Sequence, residues 1–235
     1  MENQELEQEE KQEEEAAEES ENTEDTKEAN DQESGFITFL ALGDSYTIGE
    51  SVAESSRWPV QLGNRLRSDS IHIAEPRIIA TTGWTTDELI RAVESSTFDE
   101  TYGLVSLLIG VNNQYRGYPI GQQEREFEIL LKKAISFADN DVSKVFVVSI
   151  PDYGVTPFGR SLDTEKIAKE IDEYNNINKQ IAAQYQVAYF DITPISREAK
   201  DDESLVASDG LHPSGSMYKM WVDLIYPWAS KRLKP

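Results

Sequence analysis

A short segment near the carboxyl end carries two side chains suited to joint acid–base chemistry. Residues 209–214 read Asp-Gly-Leu-His-Pro-Ser, so Asp209 precedes His212 by three positions. An imidazole can take the proton of a serine hydroxyl, and a carboxylate can hold that imidazole in the required tautomer. The chain has only 2 histidines. The other, His72, alternates with apolar neighbours and is typical of a structural or solvated side chain, so His212 is the candidate base.

The serine best suited to partner this base is Ser45. An apolar run over residues 36–42 has strand character and breaks into the polar turn Gly43-Asp44-Ser45-Tyr46. A hydroxyl at the tip of a strand that leads into a helix can attack a carbonyl once a base removes its proton, and the backbone N–H of the same residue can face the resulting oxyanion. Asp and Ser are also common turn formers, so this tripeptide alone is a weak signal.

Charge is unevenly distributed along the 235 residues. The first 34 residues contain sixteen Asp and Glu against two Lys, so they carry −14 of the formal net charge of −22. This stretch has no aromatic residue, no Val or Ile and a single Leu, and it cannot bury enough apolar surface to offset the entropy of ordering. We therefore predict that residues 1–35 are a disordered acidic tail. Helix propensity favours a rival helical form, which the repulsion of closely spaced like charges opposes.

Composition also excludes several classes of function. The acidic balance argues against nucleic acid as a partner, because phosphate contacts need clustered Lys and Arg. No apolar run approaches the length of a transmembrane helix, and the absence of cysteine excludes disulfides and thiolate metal sites. A long acidic leader suits the tether of an exported bacterial lipoprotein or periplasmic protein, and it equally suits a solubilising tail on a cytoplasmic protein. The oligomeric state is not indicated.

Beyond the tail, short apolar runs alternate with longer amphipathic segments. This pattern predicts an α/β fold in which helices cover both faces of a parallel sheet. The predicted strands are residues 36–42, 77–81, 104–109, 144–150 and 187–191. The predicted helices are residues 59–67, 86–95, 122–138, 164–185 and 214–233. Residues 36–235 are thus expected to form one domain.

The turns after the first three strands are rich in glycine and polar residues. In open α/β sheets functional groups gather beyond the carboxyl ends of the strands. Acyl transfer needs donors directed at the oxyanion, and these turns offer the backbone N–H of Gly83 and the side-chain amide of Asn112. Each residue alone is more often an ordinary turn former. Their arrival at the ends of successive strands favours a shared site.

Four blocks of the sequence together resemble the SGNH (GDSL-type) hydrolase superfamily. They are Gly43-Asp44-Ser45, then Gly83, then Gly110-Val111-Asn112-Asn113, and finally residues 209–213. The resemblance implies a three-layer α/β/α sandwich of the flavodoxin-like type with a five-stranded parallel sheet. It also implies a serine hydrolase acting on esters without a cofactor or metal, in which Ser45 is the nucleophile, His212 the base and Asp209 its orienting carboxylate. Ser45, Gly83 and Asn112 are the implied oxyanion donors.

One position departs from the pattern of this superfamily. Many members have an aspartate where this chain has Asn113, which puts the local supporting hydrogen bonds in doubt while the donor Asn112 is retained. Two other functions stay open at the level of sequence. The same pocket would suit a non-catalytic glycan- or peptide-binding module, or an acyltransferase.

Aromatic residues near the predicted site indicate the class of substrate. Trp84, Tyr115 and Tyr153 follow three of the predicted strands and are candidate substrate-binding residues, although Trp84 directly follows the oxyanion glycine and is equally typical of core packing. No extended apolar lid segment is visible. We therefore predict a small-molecule ester with a short acyl group, such as an acetylated carbohydrate, over a long-chain lipid.

Overall fold

The computed structural model describes residues 35–98 and 101–234. The predicted acidic tail, residues 1–35, lies outside the described residues except for Gly35. From Ile37 onward the chain forms one compact unit. All of the predicted site residues belong to this unit.

Five strands form one parallel sheet. They are β1 (Phe39–Gly43), β2 (Arg77–Ala80), β3 (Leu104–Leu108), β4 (Val145–Val148) and β5 (Ala188–Phe190). Their order in the sheet is β2-β1-β3-β4-β5, and every neighbouring pair is parallel. This is the flavodoxin-like order, in which the chain reverses direction across the sheet beside β1. The structure confirms the predicted α/β class and the five-stranded parallel sheet.

Helices connect the strands and cover the sheet. The longer ones are α2 (Trp58–Ser68), α3 (Thr86–Ser95), α5 (Ile120–Phe137), α6 (Thr164–Gln184) and α8 (Gly215–Leu233). Three short helices follow strands or turns, namely α1 (Ser45–Ile48), α4 (Val111–Tyr115) and α7 (Thr193–Arg197). The short helices are too brief for a hydrophobic period to reveal them. Two of them, α1 and α4, carry predicted site residues.

The sheet is buried on both faces, and its strands show why. In β1, Phe39 and Ala41 pack into one apolar cluster while Leu40 and Leu42 pack into the other. Helices α2 and α8 cover the first face. Helices α3 and α5 cover the second. Because side chains alternate along a strand, a run that is apolar at every position fits a strand buried on both sides.

Several predicted boundaries were wrong by a few residues. The first strand was expected from Phe36, but pairing in the sheet begins at Phe39, since Ile37 makes only an isolated bridge to Ile73. The predicted strands over 144–150 and 187–191 are shorter in the structure. The last helix begins at Gly215, and Ser214 caps it by accepting from the N–H of Met217. None of the helices in the described part of the chain is long and apolar enough to cross a membrane.

Candidate active site

Ser45 is the first residue of α1, just after the carboxyl end of β1, an inner strand of the sheet. The side chain of Asp44 caps this helix, with Oδ1 accepting from the backbone N–H of Tyr46 at 3.0 Å. The turn is tight: a Cβ on Gly43 would lie 2.2 Å from Thr47 Oγ1. A side chain at that position would displace the helix that presents Ser45, so glycine is required there.

Asp44 itself is fully buried beside Ser45. Burial raises the pKa of its carboxyl from 3.8 to about 7, although hydrogen bonds from the backbone oppose the shift. Within the described residues, Asp44 Oδ2 has no hydrogen-bond partner. A carboxyl with one satisfied oxygen and one unsatisfied oxygen is better accommodated in its neutral form. Asp44 therefore has the environment of a protonated helix cap.

The turn at residues 209–212 brings its carboxylate and imidazole into contact. His212 Nδ1 donates to Asp209 Oδ2 at 2.6 Å, and the other carboxylate oxygen accepts from the backbone N–H of Leu211 at 2.9 Å and of His212 at 3.0 Å. Because a carboxylate oxygen accepts, the proton of the imidazole lies on Nδ1, which leaves Nε2 free to act as a base. Partial burial of Asp209 would raise its pKa, but these bonds and one from Ser51 outweigh it and hold the pKa well below its usual range.

One cleft brings together most of the predicted site residues. It has a volume of about 190 Å³, and its lining includes Ser45, Gly83, Asn112 and His212. The predicted substrate-binding residues Tyr115 and Tyr153 also line it. Ser45 and His212 are nearly buried, at 4% and 7% exposed. The residue that carries the hydroxyl, near the start of the folded unit, and the residue that carries the imidazole, near its far end, thus line the same cleft.

Trp84 lies elsewhere. It is not part of the cleft lining, and its partly buried indole packs against the apolar cluster that α3 and α5 form with the sheet. This placement favours the core-packing alternative that the sequence left open for this residue. Its backbone still contributes to the site, because Trp84 O accepts from Asn112 Nδ2 at 2.9 Å.

The loop that carries Gly83 is held by the side chain of Asn112 in α4 and by that of Arg116, the residue after this helix. Gly83 has a φ of +87°, a backbone conformation that L side chains rarely adopt. Its carbonyl accepts from Arg116 Nη2 at 2.6 Å, and the bond from Asn112 to Trp84 O ties the next residue. Since Nδ2 of Asn112 carries two hydrogens, one remains to face an oxyanion in the cleft. The Asn112 amide is thus tied to the residue that follows Gly83, which connects the segments that carry two candidate oxyanion donors.

Asn113, the position that departs from the superfamily pattern, supports the same loop. It is fully buried; its Oδ1 accepts from Thr86 N at 2.9 Å and its Nδ2 donates to Thr86 Oγ1 at 2.6 Å. The hydroxyl of Thr86 in turn donates to Glu126 Oε2. An aspartate could not donate to this hydroxyl, so the amide and Glu126 form a matched set around Thr86.

The sequence did not indicate Phe158 as a residue of the site. Phe158 lines the cleft, and its ring lies 6.3 Å from that of Tyr115 and 6.5 Å from that of Tyr153. Phe158 is 40% and Tyr115 55% exposed. Phe158 belongs to no periodic apolar pattern and does not directly follow a predicted strand, so no sequence signal marks it. Across residues 35–98 and 101–234, no group of three or more His, Cys, Asp or Glu side chains is arranged to hold a metal ion.

The sequence model of the GDSL-like Lipase/Acylhydrolase family matches residues 41–220. This match spans most of the compact unit and includes all the predicted site residues. The chain therefore belongs to the GDSL-like lipase/acylhydrolase family, as the four blocks of residues predicted. No curated protein matches the chain closely enough to count as a relative.

Solved structures of several esterases share this fold at low identity. A psychrotrophic esterase from Pseudoalteromonas sp., in a structure inhibited by monoethylphosphonate, is 17% identical with a TM-score of 0.62, over 83% of this chain and 97% of that one. A lipase/acylhydrolase from Enterococcus faecalis is 19% identical with a TM-score of 0.62, over 85% and 98%. An acetyl xylan esterase from Geobacillus stearothermophilus is 18% identical with a TM-score of 0.59, over 82% and 94%. At such identities the likeness concerns the fold.

Proposed function

We propose that this protein hydrolyses carboxylic esters with short acyl groups through a Ser-His-Asp triad. The observation that carries the proposal is the cleft that Ser45 and His212 both line, with Asp209 Oδ2 accepting from the far side of the imidazole at 2.6 Å. Few other functions require a serine, an imidazole and a hydrogen-bonded carboxylate in this relation. Membership of an esterase and acylhydrolase family supports the same reaction.

The proposed reaction has two acyl-transfer steps. Ser45 Oγ attacks the ester carbonyl carbon while its proton passes to Nε2 of His212, and the carbonyl oxygen becomes an oxyanion. The backbone N–H groups of Ser45 and Gly83 and the amide of Asn112 stabilise that charge. The tetrahedral intermediate then collapses, and the proton on His212 goes to the departing alcohol. Water, deprotonated by the same imidazole, then attacks the acyl-Ser45 ester; the bond from the acyl carbon to Ser45 Oγ breaks, the acid leaves, and the proton on His212 returns to Oγ.

The dimensions of the cleft support a small acyl group. Its volume of about 190 Å³ is below the roughly 300–1,000 Å³ of pockets that enclose drug-sized ligands. Tyr153 and Phe158 add aromatic walls, and Tyr115 stands at the more exposed side. An acetyl or propionyl group would fit such a space, whereas a long acyl chain would extend into solvent.

Kinetics on p-nitrophenyl esters test this proposal. We expect Ser45→Ala and His212→Ala each to reduce hydrolysis of p-nitrophenyl acetate to background, by roughly a millionfold if the triad acts as a unit. Ser70→Ala and His72→Gln serve as matched controls outside the cleft and should keep wild-type kcat. The wild type should also prefer acetate and propionate to octanoate. Wild-type rates in Ser45→Ala, with an unchanged melting temperature, would contradict the proposal.

A further inference from the structure

Ser51 is a third residue in contact with the carboxylate of the proposed triad. Its Oγ donates to Asp209 Oδ2 at 2.7 Å, the same oxygen that accepts from His212 Nδ1 at 2.6 Å. Ser51 and Asp209 are 158 positions apart in the chain. Their hydrogen bond therefore joins the loop after α1 to the turn that carries the imidazole.

The loop that holds Ser51 is attached directly behind the proposed nucleophile. The backbone N–H groups of Gly49 and Glu50 both donate to Ser45 O at 3.0 Å. The Glu50 carboxylate also accepts from the hydroxyl of Thr82, next to Gly83. Ser45 O thus accepts from Glu50 N, and Ser51, the next residue in the chain, donates to Asp209. A displacement of the carboxylate relative to Ser45 would strain these two hydrogen bonds.

The backbone at Ser51 is unfavourable for serine. Its φ is +62°, in the left-handed region where glycine is the default residue and other residues cost free energy. Gly49, two residues earlier, has a similar φ of +72° and is a glycine. Ser51 thus carries a side chain at a position where the backbone favours glycine, and the hydroxyl of that side chain makes the hydrogen bond to Asp209.

We propose that Ser51 is a positioning residue, whose hydroxyl fixes the Asp209 carboxylate so that His212 is oriented towards Ser45. This inference rests on the proposed function. Asp209 is partly exposed, with 28% of its side chain accessible, so water competes for its oxygens. The Ser51 hydroxyl donates to Asp209 Oδ2 beside the bond from His212 Nδ1. This second hydrogen bond restricts the rotation of the carboxylate. Ser51 does not line the cleft and acts through Asp209.

A pair of serines with the same backbone strain gives a matched test. Ser70 has a φ of +63° and lies at the exposed end of α2, where its hydroxyl makes no hydrogen bond to any other described residue. The variants Ser51→Ala, Ser51→Gly, Ser70→Ala and Ser70→Gly therefore separate the hydroxyl from the backbone. At both positions the glycine variant should melt above the alanine variant by roughly 2–4 °C, because glycine adopts a positive φ without strain.

Activity should follow a different pattern from stability. We expect Ser51→Ala and Ser51→Gly to lower kcat on p-nitrophenyl acetate equally, by about fivefold, with KM unchanged, since an exposed hydrogen bond to a charged group is lost in both. Both Ser70 variants should keep wild-type kcat. If Ser51→Gly keeps wild-type kcat while only Ser51→Ala loses it, activity follows backbone strain and the proposal is overturned.

Proton NMR of the His212 Nδ1–H gives a readout that does not depend on turnover. With only 2 histidines in the chain, His72→Gln assigns the signal. Both Ser51 variants should shift it and both Ser70 variants should leave it in place; an unshifted signal in the Ser51 variants would overturn the proposal. Hydrolysis that survives Ser45→Ala would overturn the proposed function and with it this role of Ser51. Abolished hydrolysis in Ser45→Ala, with full kcat in both Ser51 variants, would overturn the Ser51 assignment alone.

Discussion

Asp44 stands next to the proposed nucleophile, yet its surroundings do little to stabilise a negative charge. The carboxyl is fully buried, and its Oδ1 is engaged as a helix cap. Burial raises its pKa to about 7, against 3.8 in an unfolded chain. The folded state therefore binds a proton between pH 4 and pH 7 that the unfolded state has released. The free energy of unfolding should consequently fall as the pH rises through this window.

We predict that Asp44→Asn stabilises the protein at high pH. An asparagine keeps the cap to Tyr46 and cannot ionise, so it removes the cost of a buried charge above pH 7. With a pKa of 3.8 in the unfolded chain and about 7 in the folded one, the gain in the free energy of unfolding should be on the order of 4 kcal/mol at pH 8 and about 1.5 kcal/mol at pH 5. Chemical denaturation at the two pH values measures it, with the exposed Asp201→Asn as a control. An equal effect of Asp44→Asn at both pH values would contradict the shifted pKa.

At the level of single residues, the sequence was informative where chemistry restricts the choice. His212 and Asp209 stand three positions apart, and a scarce residue type beside a carboxylate is conspicuous. Ser51 and Phe158 were not predicted, because each reaches the site through a contact made only in the folded chain. Ser51 meets Asp209 across 158 positions, and nothing local to either residue indicates that pairing.

Among the elements, the short helices α1 and α4 matter most for the site. Each begins directly after a turn that follows a strand, and each presents a predicted site residue towards the cleft. Helices of four or five residues have marginal stability in isolation, so hydrogen bonds to neighbouring elements hold them in place. The long helices and strands were predictable from their periodicity, whereas these short ones depend on tertiary contacts that a periodicity cannot show.

The link between α4 and α3 gives a prediction at this scale. Asn113→Asp would place two carboxylates, its own and that of Glu126, around the single hydroxyl of Thr86. Only one of them could accept its proton, and the other would be left unsatisfied or would repel its neighbour. We expect Asn113→Asp to lower the free energy of unfolding at pH 8 by about 2 kcal/mol and to reduce kcat by loosening the Gly83 loop.

A second substitution should reverse this effect. In Asn113→Asp combined with Glu126→Gln, the Thr86 hydroxyl can donate to the new aspartate and accept from the glutamine amide. Stability and kcat should both return towards wild type, which a double-mutant cycle measures as a favourable coupling. Purely additive effects of the two substitutions would show that residues 113 and 126 do not interact through the Thr86 hydroxyl.

For the whole molecule, two apolar clusters on opposite faces of the sheet hold the fold together, and the site lies at the carboxyl ends of its strands. The alternation of apolar runs and amphipathic segments was sufficient to predict this architecture, because strands buried on both faces and helices with one apolar stripe both leave a clear pattern. The exact strand ends were not predictable, since they depend on pairing with neighbours.

The acidic residues before Gly35 give a prediction at the same scale. They carry −14 of the net charge of −22 and lack the apolar residues needed to dock. We therefore expect a chain that begins at Gly35 to keep the melting temperature within about 1 °C and kcat/KM for an uncharged ester within about twofold. For an anionic ester at low salt, removal of these acidic residues should lower KM, because the long-range repulsion between the protein and the ester weakens. A large loss of stability would contradict the predicted disorder of this segment.

We propose that Ser45 is a nucleophile activated by His212. Labelling with diethyl p-nitrophenyl phosphate, followed by peptide mass spectrometry, tests it most directly, because the reagent phosphorylates activated serines and leaves a stable adduct. We expect one diethylphosphoryl group per chain on Ser45, with concurrent loss of esterase activity and much slower labelling in His212→Ala. A label on a different residue, or an unlabelled Ser45 in a protein that hydrolyses esters, would contradict it.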